Sequence, residues 1–183
     1  MEVLVTYATA HGSTLGVATA IADRLRTRVG TVQLLPVAEV ASLNGVDAVV
    51  IGSAIHSGAW LTPASTFVEE HTTELARLPV WLFSVSSVGA TSSVFGDRVA
   101  RAMRRMRSEP SLVAAWRRQF TPRGHRNFAG VVERSHWGCL GTLFVRALGG
   151  TFGDHRDWSD IDRWSDEIAD ALAAPPSKSG AHG

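Results

Sequence analysis

Lysine is almost missing from this sequence: Lys178 is the only one, so the positive charge rests on arginine. Cysteine is as scarce. A lone Cys139 cannot close an intramolecular disulfide, which excludes a disulfide-stapled framework. The first residues run straight into an apolar strand pattern with neither a basic leader nor a secretion-type cleavage site, so a reducing cytoplasm is the expected location. No segment supplies the roughly 18 uninterrupted apolar residues of a spanning helix, which leaves peripheral contact as the only expected relation to a membrane. Neither a metal site nor a nucleic-acid partner is expected. At 183 residues and 45% hydrophobic content the chain can build one substantial core but not two. One domain is expected over residues 1–174, with a small polar tail, expected to be disordered, over 175–183.

The apolar pattern alternates between strand and helix. Val3 to Ala8 is a short run suited to a strand buried on both faces, and Leu15, Ala18, Ile21, Ala22 and Leu25 then recur at helical spacing. Val32 to Val37 reads as an edge strand weakened by Pro36, and Val46 to Ser53 as the strongest buried strand of all. Pro63 can open a helix that continues through His71 and Leu75. Val80 to Val85 is a fourth strand. Helical stretches over Gly96 to Arg107 and Ser111 to Phe120 lead through a loop to a fifth strand at Asn127 to Val132. A last helix spans Ser159 to Ala173, capped by Ser159 or Asp157. Such alternation predicts a three-layer, doubly wound α/β fold with a five-stranded parallel sheet in the order 2-1-3-4-5. Ligands of these sheets collect at the carboxyl ends of the strands, beside the switch point.

Three loops therefore carry the candidate site. Thr9, Ala10, His11, Gly12, Ser13 and Thr14 join a buried strand to a helix, so hydroxyls, accessible amides and the positive helix end form an anion cradle. The competing reading is a well-capped helix start. No Gly-Lys-Ser/Thr follows and no Gly-x-Gly-x-x-Gly is present, so a phosphate monoester suits the loop better than a nucleoside triphosphate or a dinucleotide. In the second loop, Ala54, Ile55, His56, Ser57, Gly58 and Trp60 offer backbone donors and an aromatic plate, with ordinary packing as the alternative for Trp60. Ser86, Ser87, Val88 and Gly89 give a third loop of small side chains and free amides.

Taken together these loops resemble the flavodoxin superfamily, and within it the branch of menaquinone-dependent protoporphyrinogen IX dehydrogenases. Thr9, Gly12 and Thr14 match the family's phosphate loop, "VVIGSAIHSGAW" its third strand and "FSVSSVGA" the end of its fourth. The similarity continues through "FAGVV", "GGTFGDHRDW" and "WSDEIADAL". It implies FMN held by the three loops, with a porphyrinogen as hydrogen donor and a membrane quinone as acceptor. Redox chemistry would then belong to FMN, and no catalytic side chain is expected.

The arginines are unevenly placed. Arg98, Arg101, Arg104, Arg105, Arg107, Arg117, Arg118, Arg123 and Arg126 face only Glu109 within their stretch. On the family reading Arg101, Arg104 and Arg105 are candidates for porphyrinogen propionates or anionic lipid headgroups, since arginine grips carboxylates in a bidentate fork. A solvated helical face is the plainer reading. Between the fifth strand and the last helix, Trp137, Leu140, Leu143, Phe144, Ala147 and Leu148 can share a helical face suited to a membrane interface, a quinone pocket, or simple core or dimer packing. Three rivals remain open: an electron carrier, an FMN-dependent quinone or NAD(P)H reductase, and a flavin-free partner-binding module.

Overall fold

The computed structural model describes residues 1–106, 111–133 and 146–174. The elements are β1 (Glu2–Ala8), α1 (Ser13–Val29), β2 (Thr31–Pro36), β3 (Ala48–His56), β4 (Ala59–Trp60), α2 (Thr62–Glu70), α3 (Thr72–Leu75) and β5 (Val80–Ser86). They continue with α4 (Asp97–Met106), α5 (Ser111–Trp116), β6 (Gly124–Ala129), β7 (Val131–Val132), β8 (Gly153–Asp154) and α6 (Trp158–Ala173). Parallel strands pair in the order β2-β1-β3-β5-β6, with short β4 folded back antiparallel on β3. This is the doubly wound, flavodoxin-like sheet that the sequence pattern predicts, β5 and β6 being its fourth and fifth parallel strands.

Each face of the sheet is covered because alternate residues of the central strands are apolar on both sides. Val3, Val5, Val50, Phe83 and Phe128 meet Ile21 and Leu25 of α1 and Ile161, Trp164 and Ile168 of α6. On the other side Leu4, Val49, Ile51 and Leu82 meet Ala64, Phe67 and Val68 of α2 and Val113 and Trp116 of α5. A third, smaller cluster joins Val88, Val94 and Phe95 to Val99 and Met103 of α4 and to Leu148 and Phe152. Helix α4 is thereby moored to a loop rather than laid on the sheet.

Several boundaries differ from the sequence reading, for physical reasons. The third strand extends to His56, because pairing with β4 satisfies backbone groups past Ser53. The helix after Pro63 breaks at His71, where φ −101 and ψ 13 separate α2 from α3. The fifth strand lies at Gly124–Ala129 instead of Asn127–Val132. Its polar first half resembles a loop in sequence, yet His125 Nε2 lies 2.9 Å from Ser84 Oγ, and Arg126 forks onto the fully buried Asp160. Past Gly130 the apolar "FAGVV" run leaves the sheet, and Val131–Val132 pairs with Gly153–Asp154 in a separate two-stranded ribbon. Asp157 caps α6 by accepting the Asp160 N–H at 3.1 Å. Residues 175–183 and the stretch from Trp137 to Phe144 lie outside the described residues, so of the expected amphipathic face only Ala147 and Leu148 are described.

Candidate functional site

Because β1, β3, β5 and β6 are parallel, the loops that follow them share one edge of the sheet. The first begins at Thr9, whose Oγ1 accepts the Gly12 N–H at 3.0 Å and curls the chain into α1. Gly12 caps the helix at φ 85, a left-handed conformation that a residue with a Cβ would adopt only under strain. It contributes no side-chain acceptor, and the first turn of α1 contains no acidic residue. The helix therefore starts with orphan amides and an uncompensated positive dipole end. Thr14, in the same turn, is fully buried with its Oγ1 lacking any hydrogen-bond partner among the described residues. Ala10 and His11 form the exposed crest.

Ser13 faces sideways, its hydroxyl accepting the Val131 N–H at 3.0 Å and donating to the Val131 carbonyl at 3.4 Å. The ribbon of β7 and β8 is thus stapled to the first loop. Beyond it Arg156 places Nε and Nη2 on the Asp154 carboxylate at 2.8 and 2.6 Å and stacks over the Trp158 ring at 4.3 Å. The Asp154 carboxyl is held below its ordinary range chiefly by that arginine's hydrogen bond. Asp157 is lowered as well, first by a hydrogen bond from Thr91 and then by the α6 backbone. This fourth segment was not among the expected site residues. Its signal lay in "GGTFGDHRDW", where an arginine between two aspartates reads as a solvated surface until folding shows what it rests on.

In the second loop, Ala54 and Ile55 are half-buried strand residues, and His56, Ser57 and Gly58 form the exposed tip. Ser57 at φ 51 and Gly58 at φ 84 make a two-residue turn whose twist matches the flanking strands. Trp60 does not face the loop crest. Its ring is 4% exposed, its Nε1 donates to Ser84 Oγ at 2.8 Å, and its edge meets Trp116 at 5.0 Å between centroids. The aromatic plate expected from Trp60 is consequently part of the core, since a buried indole N–H takes its partner there.

The third loop is the most tightly constructed. Ser86 Oγ accepts the Val88 N–H and donates to the Val88 carbonyl. A Cβ on Gly89 would collide with the backbone of Phe128 and Ala129, so this residue seals the loop against β6. Val88 and Gly89 are buried, while Ser87 is half-buried and offers its carbonyl to Val94. Arg104 closes the loop from below: its Nε donates to the Gly89 carbonyl at 2.8 Å and its Nη2 to the Ser92 carbonyl at 3.0 Å. Two of its three guanidinium nitrogens are accordingly given to the loop's shape, whereas the sequence assigned this exposed arginine to a substrate. Arg101 and Arg105 are exposed and make no ion pair with any described residue.

Orphan amides, a positive dipole end and an unpartnered buried hydroxyl fit a phosphate monoester at the start of α1. The family model described as flavodoxin domain matches residues 4–149. A flavodoxin from the domain Archaea superposes with a TM-score of 0.62 at 16% identity, covering 95% of this chain and 100% of that one. A cysteine-to-serine mutant of flavodoxin from Pseudomonas aeruginosa gives 0.59 at 14% identity, with 95% and 100% covered. Rubredoxin oxygen:oxidoreductase from Desulfovibrio gigas gives 0.60 at 15% identity over 94% of this chain, which spans 36% of that longer protein. At these identities the structural likeness speaks for the fold alone. Comparison with curated proteins gave no match. The family match spans most of the residues that build the sheet and three of its loops: this chain belongs to the flavodoxin domain family, and FMN is its cofactor.

Proposed function

We propose that the chain is an FMN-dependent oxidoreductase that takes hydrogen from a porphyrinogen and delivers it to a quinone. The observation that supports this reading is the cradle at the start of α1, where Thr14 Oγ1 is buried, and unpartnered among the described residues, beside orphan amides. Thr9, Gly12, Ser13 and Thr14 would hold the phosphate end. The exposed tip at His56 to Gly58 and the braced loop at Ser86 to Gly89 would flank the flavin ring. Bound there, FMN supplies the two-electron redox chemistry, and the chain's own residues position it and limit its access to water.

The porphyrinogen part of the proposal rests on the motif resemblance and on charge. Arg98, Arg101 and Arg105 project from α4 next to the third loop, exposed and without ion pairs among the described residues, so carboxylates of a substrate can compete for them. The same charges would hold the chain at an anionic membrane where a quinone dissolves; among the described residues no helix is long and apolar enough to cross that membrane. An electron carrier is the runner-up, and its docking surface would be expected to be acidic rather than arginine-rich.

An anaerobic assay with FMN-loaded protein decides between them. Porphyrin fluorescence should rise from protoporphyrinogen only when a menaquinone analogue is present. Flavin retained without turnover would discard the porphyrinogen and leave a carrier. Absence of bound flavin after loading would remove the oxidoreductase reading altogether.

A further inference from the structure

Gly16 stands one turn into α1, on a helix where alanine would be more stable by about 1 kcal/mol. A Cβ there would collide with Nη1 of Arg156, so the missing side chain is what lets this guanidinium lie against the first turn. Its orientation is fixed from two other directions. Asp154 engages Nε and Nη2 in a fork, and Trp158 lies beneath the plane. Nη1 is left without a hydrogen-bond partner among the described residues and is turned toward α1.

This arrangement has the wrong sign for a helix start by itself. A cation beside the positive end of a helix dipole is repelled, and α1 has neither an acidic first-turn residue nor a side-chain cap to offset it. The Asp154–Arg156 pair is neutral as a whole, yet it is Nη1 of the arginine that lies against the helix. The guanidinium and the helix end, both positive and both on the first turn of α1, become favourable neighbours once an anion sits beside them. We propose that Arg156 is the counter-charge for the phosphate monoester at the start of α1, and the residue by which the chain tells a phosphorylated flavin from a dephosphorylated one. The inference rests on the FMN reading and adds to it a residue far along the chain from the phosphate loop.

The test is titration of flavin-free full-length protein with FMN and, separately, with riboflavin, read by quenching of flavin fluorescence. Arg156→Gln should weaken FMN by about tenfold, as expected for loss of one partly screened charge contact, and leave riboflavin unchanged. Inorganic phosphate should compete with FMN in the native protein and less so in the variant. Because removing the guanidinium could loosen the ribbon, Arg156→Lys provides the control: it keeps the charge and should retain the preference for FMN. Equal loss of both flavins in Arg156→Gln would make the residue a structural brace and overturn the proposal, as would no loss at all. If the native protein takes up neither flavin, the FMN reading itself fails and Arg156 falls with it; native uptake of FMN with an unchanged flavin ratio in the variant sinks the Arg156 proposal alone.

Discussion

Helices α1 and α4 both show arginines on their outer faces, and they use them in opposite ways. On α1, Arg24 reaches Asp166 of α6 at 2.7 Å, and Arg28 bridges Asp166 and Asp170 at 2.9 and 2.6 Å. On α4, Arg98, Arg101 and Arg105 are exposed and make no ion pair among the described residues. The helices themselves do not account for the difference. What lies beside them does: α6 presents a row of acids to α1, whereas α4 packs on the apolar cluster of Val88, Val94, Phe95, Leu148 and Phe152. An arginine-rich stretch therefore says little about local potential until its neighbour in space is known. Paired, it joins helices; unpaired, it presents a field to solvent and to anionic ligands.

The contrast can be broken most severely at Asp160, the buried acid that receives Arg126 and, at 3.3 Å, Arg163. Asp160→Ala should cost about 3 kcal/mol of stability, because it strands the Arg126 charge beside the core; urea denaturation followed by tryptophan fluorescence measures it, and a loss below about 1 kcal/mol would mean that Arg126 finds water instead. Thr14→Glu should come next, abolishing flavin retention on gel filtration while the α1–α6 pairs survive, since negative charge would occupy the cradle. Reversing Arg101 and Arg105 to glutamate should leave flavin content intact and stability within about 0.5 kcal/mol, yet reduce porphyrinogen turnover or binding to anionic vesicles. If both persist, the α4 face is only solvated.

The smallest effect is expected at Arg24→Gln, and pH sharpens it. Hydrogen bonding to Arg24 holds the Asp166 carboxyl below its ordinary value. A depressed carboxyl contributes stability above its unfolded pKa and loses it as pH falls through the folded one. The native protein and Arg24→Gln should accordingly differ at neutral pH and converge below about pH 4, as thermal melts across that range would register.

The central strands were legible because burial on both faces writes an unbroken apolar run, as in Val49 to Ile51 and Leu82 to Phe83. The start of β6 was not. His125 and Arg126 find partners in Ser84 and Asp160, which lie far away in sequence, and no local pattern announces them. Loop positions followed from topology, so the residues around Thr9 to Thr14, His56 to Gly58 and Ser86 to Gly89 gather at one sheet edge. Roles within the loops depended on direction, which sequence does not carry. Trp60 turns inward because its indole N–H bonds to Ser84, and Arg104 turns to backbone carbonyls that only the folded third loop presents. Gly16 did hold a readable clue, as a glycine in the first turn of an amphipathic helix asks what needs the space.

The staple between Ser13 and Val131 also sets a schedule. Its partners are 118 positions apart, so the flank of the first loop is completed by a segment synthesised long after α1 has left the ribosome. Contacts of such long span are slow to form, since chain closure must precede any reward. A nascent chain that has made β1, α1 and β3 possesses the first loop's sequence without this staple, which forms only once the chain has been made past β6.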